Sequence, residues 1–157
     1  MRRRTAALTL LTGAALVAAA VATSPASAAL RSTARTHTGT HRLALGLACP
    51  PKNFRCKGLL DPFRFDRVSP RVPKLAVRVG EHIRFRLPFR PASASITLYA
   101  RGSRLVSRVA VHPARTFSWT AAAAYRRDLR HGGLILVITT VTNDAHRYGY
   151  AARFVKA

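Results

Sequence analysis

The stretch Lys74-Leu75-Ala76-Val77-Arg78-Val79-Gly80-Glu81-His82-Ile83-Arg84-Phe85-Arg86-Leu87-Pro88-Phe89-Arg90 decides the fold. Leu75, Val77 and Val79 recur at every second position. After Gly80-Glu81, so do Ile83, Phe85, Leu87 and Phe89, with Arg84, Arg86, Pro88 and Arg90 between them. Successive side chains of a strand point to opposite faces, so a period of two reads as a half-buried strand. Its wet face is strongly basic.

The same period continues downstream. Ile96, Leu98 and Ala100 alternate with Thr97, Tyr99 and Arg101, and Arg101-Gly102-Ser103-Arg104 makes a turn. Leu105, Val109 and Val111 form a return strand with Arg104 and Arg108 outward, and Phe117 and Trp119 give a short strand. Residues 120–131 read as one helical turn or a loop, ended by Gly132-Gly133, since glycine tolerates backbone angles that other residues avoid. Leu134 to Val141 is apolar on both faces, as a central strand covered on both sides is. Thr142-Asn143-Asp144-Ala145 is a turn by composition, and Tyr148, Tyr150, Ala152 and Phe154 alternate with Arg147 and Arg153 in a last strand. About seven short strands at this spacing argue for an all-β, antiparallel β-sandwich over residues 74–157.

Upstream of Lys74 the chain reads as appendages. Residues 1–28 have the layout of a secretory signal peptide. Arg2, Arg3 and Arg4 are followed by an apolar run from Ala6 to Ala22, then by Pro25 and the small-residue cleavage site Ala26-Ser27-Ala28. Residues 29–47, with Arg31-Ser32-Thr33-Ala34-Arg35-Thr36-His37-Thr38-Gly39-Thr40-His41-Arg42, show no period. They read as a flexible basic tail unable to bury enough apolar surface to offset ordering. Residues 48–73 carry Pro50, Pro51, Pro62, Pro70 and Pro73, and proline lacks an amide donor, so an extended or looped lead-in is expected there and not a helix.

With these parts in order, residues 74–157 resemble a bacterial immunoglobulin-like or fibronectin type III-like module. The matching residues are Leu75-x-Val77-x-Val79-Gly80-Glu81-x-Ile83-x-Phe85, Ile96-Thr97-Leu98-Tyr99 before the Gly102 turn, and Phe117-Ser118-Trp119. Leu129-x-x-Gly132-Gly133-Leu134-x-Leu136-x-Ile138 and the closing Arg153-Phe154-Val155 complete the set. The resemblance implies that Trp119 plugs the core and that the strand after the glycines runs through the middle of one sheet. It implies an accessory, binding or spacer role and transfers no catalytic residue. The intersheet cysteine pair of antibody domains is missing. Sandwich architecture alone does not fix function.

Charge narrows the partners. The chain carries 27 Lys and Arg against 5 Asp and Glu, a net charge of +22 over 157 residues. Loss of the first 28 residues removes three arginines and leaves +19, so the basicity belongs to the exported product. Arginine outnumbers lysine 23 to 4, a bias that high-GC codon usage also produces. Arg84, Arg86 and Arg90 are expected on one side of a strand, joined by Arg78 from its neighbour, with Arg104 and Arg108 lining another. Side chains two apart on a strand lie about 7 Å apart, so such rows raise the local concentration of anions, and the guanidinium fork suits phosphate and carboxylate. The partners that fit are anionic cell-wall or surface polymers. Specific nucleic-acid readout needs exposed aromatics interleaved with the charges, and here most aromatics fall on the inward set. The other reading is a purely compositional basicity on a structural or protein-partner module, whose contact is the outer face of 134–141 or an edge strand.

Cys49 and Cys56 are the only cysteines. In an exported chain they are expected to form a disulfide, with free thiols or metal ligation as the other states, closing a loop that staples the chain or presents Phe54 among Lys52, Arg55 and Lys57. His37 and His41 are four apart, but Gly39 and the surrounding threonines disfavour the helix that would align them. His82, His112, His131 and His146 are scattered, so no metal site is expected. The carboxylates Asp61, Asp66, Glu81, Asp128 and Asp144 form no acid–base motif, and no Gly-x-Ser-x-Gly elbow or glycine-rich phosphate loop occurs. The expectation is therefore a secreted or envelope-associated, non-enzymatic protein without a cofactor.

Overall fold

A computed structural model describes residues 30–51, 56, 58–60 and 63–157. The expected leader, residues 1–28, lies outside the described residues, as do Lys52, Phe54, Arg55 and Lys57. In chain order the strands are β1 (Thr33–Thr36), β2 (Gly39–Arg42), β3 (Ala44–Cys49), β4 (Lys74–Val77), β5 (His82–Arg86), β6 (Ser93–Ala100), β7 (Arg104–Val111), β8 (Thr116–Thr120), β9 (Leu134–Val141) and β10 (Arg147–Lys156). Among the described residues the two short α-helices are α1 (Phe65–Val68) and α2 (Arg126–Arg130).

The strands form two sheets. One has the order β2-β1-β5-β8; the other runs β3-β10-β9-β6-β7, with β4 also on β10. The pairings are antiparallel except β4 with β10, which run parallel from Lys74↔Arg153 to Val77↔Lys156. Alternate residues of both sheets meet in one core. Ala34, Ile83 and Phe85 come from the first sheet, and Leu75, Ile96, Leu98, Leu134, Leu136, Ile138, Tyr150 and Phe154 from the second. The period of two seen in the sequence is thus the inward set of a mostly antiparallel, two-layer β body. Trp119 is half-buried at the edge of this core, 5.8 Å from the Tyr125 ring and 5.9 Å from that of Phe154.

Strand β9 lies between β10 and β6, as its two apolar faces require. Its outer residues Ile135 and Val137 join Ala151 in a second cluster, closed by Phe65, Val68 and Val72. The segment doing so is the Pro-rich lead-in, which corrects the expectation of a helix-free stretch. It folds as α1 followed by a 3-10 turn, Ser69–Arg71, with Pro70 in the opening turn where a missing amide donor costs nothing. Ser103 Oγ, from the β6–β7 turn, accepts the Phe65 N–H at 2.9 Å and satisfies the start of α1. The Ile135–Val137 part of the outer face of 134–141 is covered by its own chain, so that part is not a free docking face.

The flexible tail is also overturned. Within residues 29–47 lie β1, β2 and most of β3, and Ala34 is fully buried. A hairpin this polar has no core of its own. It folds because β1 adds to an existing sheet edge at β5, in the register Thr33↔Arg86, Ala34↔Phe85 and Arg35↔Arg84, so Phe85 and its neighbours supply the apolar surface. The strand count is ten among the described residues where about seven were expected, the three additional strands being these.

Candidate functional site: a cationic sheet face

The outer face of the four-stranded sheet is built by parity. Ala34, Ile83, Phe85, Phe117 and Trp119 belong to the core or pack against it, so the residues between them point to solvent. Registers then fix two rows across the strands. One is Arg42, Thr33, Arg86, Thr116; the next is Thr40, Arg35, Arg84, Ser118. Arginines and hydroxyl residues alternate except at Arg35 and Arg84, which stand directly opposite each other. Cross-strand partners lie about 5 Å apart, and like charges placed so are destabilising.

A shallow depression of about 420 Å³ occupies this face, lined by Thr33, Arg35, Thr40, Arg84, Arg86, Arg115 and Thr116. Arg115 enters from the β7–β8 connection, where its Nε donates to the Leu87 carbonyl at 3.3 Å and its own carbonyl accepts the Leu87 N–H at 2.8 Å. The ion pairs among the described residues are His37–Glu81, Arg104–Asp128 and His146–Asp144. None neutralises Arg35, Arg42, Arg84, Arg86 or Arg115. The face therefore holds clustered cationic donors interleaved with hydroxyls, which is chemistry for an oxyanion.

One carboxylate ties this face together at the ends of its strands. Glu81, in the β4–β5 turn, accepts the His37 N–H at 2.6 Å, the Arg78 N–H at 2.7 Å and a hydrogen bond with His37 Nδ1 at 2.9 Å. Burial works to raise its pKa, but the amide and imidazole hydrogen bonds prevail and the carboxyl sits below its ordinary range. The turn of the β1–β2 hairpin is thereby tied to the turn before β5.

The six arginines singled out in the sequence fall in separate places. Arg84 and Arg86 stand on the face as expected. Arg90 does not share their strand, because β5 ends at Arg86 and Leu87 turns into the loop with Pro88. Arg78 lies in the turn after β4, which belongs to the other sheet. Arg104 and Arg108 lie on β7, the edge of that second sheet. Arg104 is neutralised by Asp128 at 2.7 Å, beside a second depression lined by Arg101, Arg127 and His131. Leu105 and Val109, expected inward on β7, are 53% and 42% exposed. Arg35, Arg42, Arg115 and the threonines were missed; on β1 and β2 the signal was the repeat Thr33-Ala34-Arg35 and Thr40-His41-Arg42, and Arg115 and Thr116 had none.

Cys49 and Cys56 form a disulfide, with Cα atoms 4.9 Å apart. Among the described residues no three His, Cys, Asp or Glu gather as a metal site requires, and no helix is long and apolar enough to cross a membrane. In comparisons with known proteins, no family, no curated protein and no solved structure matches this chain.

Proposed function

We propose that this protein is an exported, non-enzymatic immunoglobulin-like β-sandwich that contacts anionic polymers of the cell envelope through the outer face of its β2-β1-β5-β8 sheet. The observation that carries the reading is the Arg35–Arg84 pair, opposed across neighbouring strands with Arg86 and Arg115 beside it and no carboxylate partner among the described residues. Such an arrangement costs the folded state self-repulsion, which a bound polyanion relieves. An open face suits a polymer better than a small anion, because individually weak exposed contacts add up only when linked. Support for the immunoglobulin-like assignment is the order β10-β9-β6-β7 in one sheet and β5-β8 in the other, with β4 parallel to the last strand. The disulfide fits export to an oxidising compartment.

The test is to bind the purified protein to isolated cell envelope at rising ionic strength. Exposed charge attraction is screened within about 10 Å at 0.1 M salt, so retention is expected to fall steeply, and to fall further for Arg84→Gln/Arg86→Gln. Retention indifferent to salt and to this pair of substitutions refutes the reading. A protein-partner role, with basicity only compositional, is favoured by one feature: β7 is an eight-residue edge strand with Leu105 and Val109 exposed. Salt-insensitive recovery of a single partner, lost on Val109→Lys, supports that alternative.

A further inference from the structure

We infer that the polymer recognised by this face is a linear phosphodiester chain without bases, an inference that rests on the anion-binding reading above. The spacing of the arginines is the first ground. Arg84 and Arg86 are two apart on one strand, about 7 Å. The diagonal pairs Arg42–Arg35 and Arg35–Arg86, given by the registers, are about 7–8 Å apart. Three backbone bonds of an extended chain span about 3.3–3.6 Å, so a phosphodiester repeat of six bonds spans about 7 Å. The registers set Arg42, Arg35 and Arg86 in a zigzag across β2, β1 and β5, so a flexible chain that bends at its phosphates meets an arginine at each.

Donor chemistry is the second ground. Each arginine of the two rows has a threonine or serine as a cross-strand neighbour. The guanidinium fork serves the two non-bridging oxygens, and the hydroxyl supplies an O–H donor for the ester oxygens between repeats. The third ground is what the face omits. The outward positions of the four strands carry no Phe, Tyr or Trp, and His82, the one ring among them, is hydrogen-bonded to Thr120 at the sheet's end, so successive bases lack the run of aromatic platforms that single-strand nucleic-acid binders use. The ligand class is a polyol-phosphate polymer.

The experiment titrates the purified protein with end-labelled poly(glycerol phosphate) at several salt concentrations. With three to four phosphates engaged, log K is expected to fall with log salt at a slope of about −2 to −3. Arg35→Gln and Arg84→Gln are each expected to weaken binding about fivefold at 0.1 M salt and to flatten the slope by about 0.7. Both variants should melt at or above the parent temperature, because repulsion is relieved, which shows that they fold. Arg104→Gln and Arg108→Gln should change neither affinity nor slope. Polygalacturonate should bind more weakly, and a single-stranded oligonucleotide of equal charge no more tightly. Polygalacturonate binding as tightly as the phosphate polymer overturns the phosphate inference and leaves the anion face standing. An oligonucleotide that binds more tightly overturns the base-free inference. Losses at Arg104 and Arg108 equal to those at Arg35 and Arg84 overturn the face itself.

Discussion

Replacing Glu81 by Ala should loosen the β1–β2 hairpin and weaken polyanion binding, although it removes a negative charge from a cationic protein. The carboxylate side chain is 9% exposed and takes three hydrogen bonds from His37 and Arg78. Hydrogen bonds to a charged acceptor contribute about 1.5–3 kcal/mol each when protected. His37 and Arg78 are exposed residues whose amides regain water, so the loss is about 2 kcal/mol in all. For a chain of this length that is a fall in Tm of about 4–8 °C. Hydrogen exchange should accelerate first at the amides of residues 33–42. The acid response has a definite sign. A carboxyl held below its ordinary pKa contributes stability that is present above the unfolded value and lost as pH falls through the folded one. The parent should therefore lose stability as pH drops below about 4.5, and Glu81→Gln should lose less over the same window. Circular dichroism melts across that range measure both effects. Simple electrostatics expects Glu81→Ala to tighten polyanion binding, whereas the latch expects weakening, because Thr33, Arg35 and Thr40 reach the face only while the hairpin is seated. Tighter binding with an unchanged melt refutes the latch.

Three further outcomes follow from other parts of the structure. Tyr150 Oη and Ser32 Oγ are buried without a hydrogen-bond partner among the described residues, so Tyr150→Phe should be neutral or stabilising by about 1 kcal/mol in urea unfolding. Burial pushes the Tyr150 phenol up to about 12; a raised acid favours the neutral folded form, so the parent should lose stability as pH rises from 10 through 12 and the Phe variant should lose less. Phe65→Ala removes a side chain 4% exposed from the cover over Ile135 and Val137 and should cost about 3–5 kcal/mol, read as a lower urea midpoint. Reducing Cys49–Cys56 opens an eight-residue loop, worth about 2–3 kcal/mol on chain entropy, and a melt with and without reductant measures it.

How much of the fold the sequence disclosed depends on where each element finds its apolar surface. Ile83 and Phe85, Ile96 and Leu98, and Tyr150 and Phe154 carry their core contacts in their own alternation, and all six are fully buried as read. Leu134 to Val141, apolar but for Thr139 and Thr140, announced a strand with two covered faces. What covers its second face was hidden, because Phe65, Val68 and Val72 sit among prolines and arginines with no long period. A four-residue helix is too short to form by propensity and exists only through packing on Ile135 and Val137. Likewise Val109 looked inward by parity, but its strand is the last of its sheet, where half of an inward side chain still meets water.

The site was harder to see than the fold because it is a product of register. Thr33-Ala34-Arg35 and Thr40-His41-Arg42 are the same pattern written twice, and read along the chain they place Thr33 and Arg42 nine residues apart. Folding back through the His37-Thr38 turn inverts the second copy. Thr33 then meets Arg42 and Arg35 meets Thr40, and the hairpin becomes a checkerboard before it touches any other strand. The turn is fixed by the Thr36 and Thr38 hydroxyls, 2.8 Å apart, and by Glu81 on the His37 amide. A slip of one residue would send Arg42 and Thr40 of β2 to the opposite side. Docking on β5 sets the second register and brings Arg35 against Arg84, a pairing no local motif encodes. The arginines of β5 were legible because their alternation with Ile83 and Phe85 names their face directly. Those of β1 and β2 were not, since Ala34 is the only buried apolar side chain between them and one alanine is too little pattern to name a face. Half of the cationic face thus depends on Glu81, the residue whose substitution separates a folded site from a merely basic sequence.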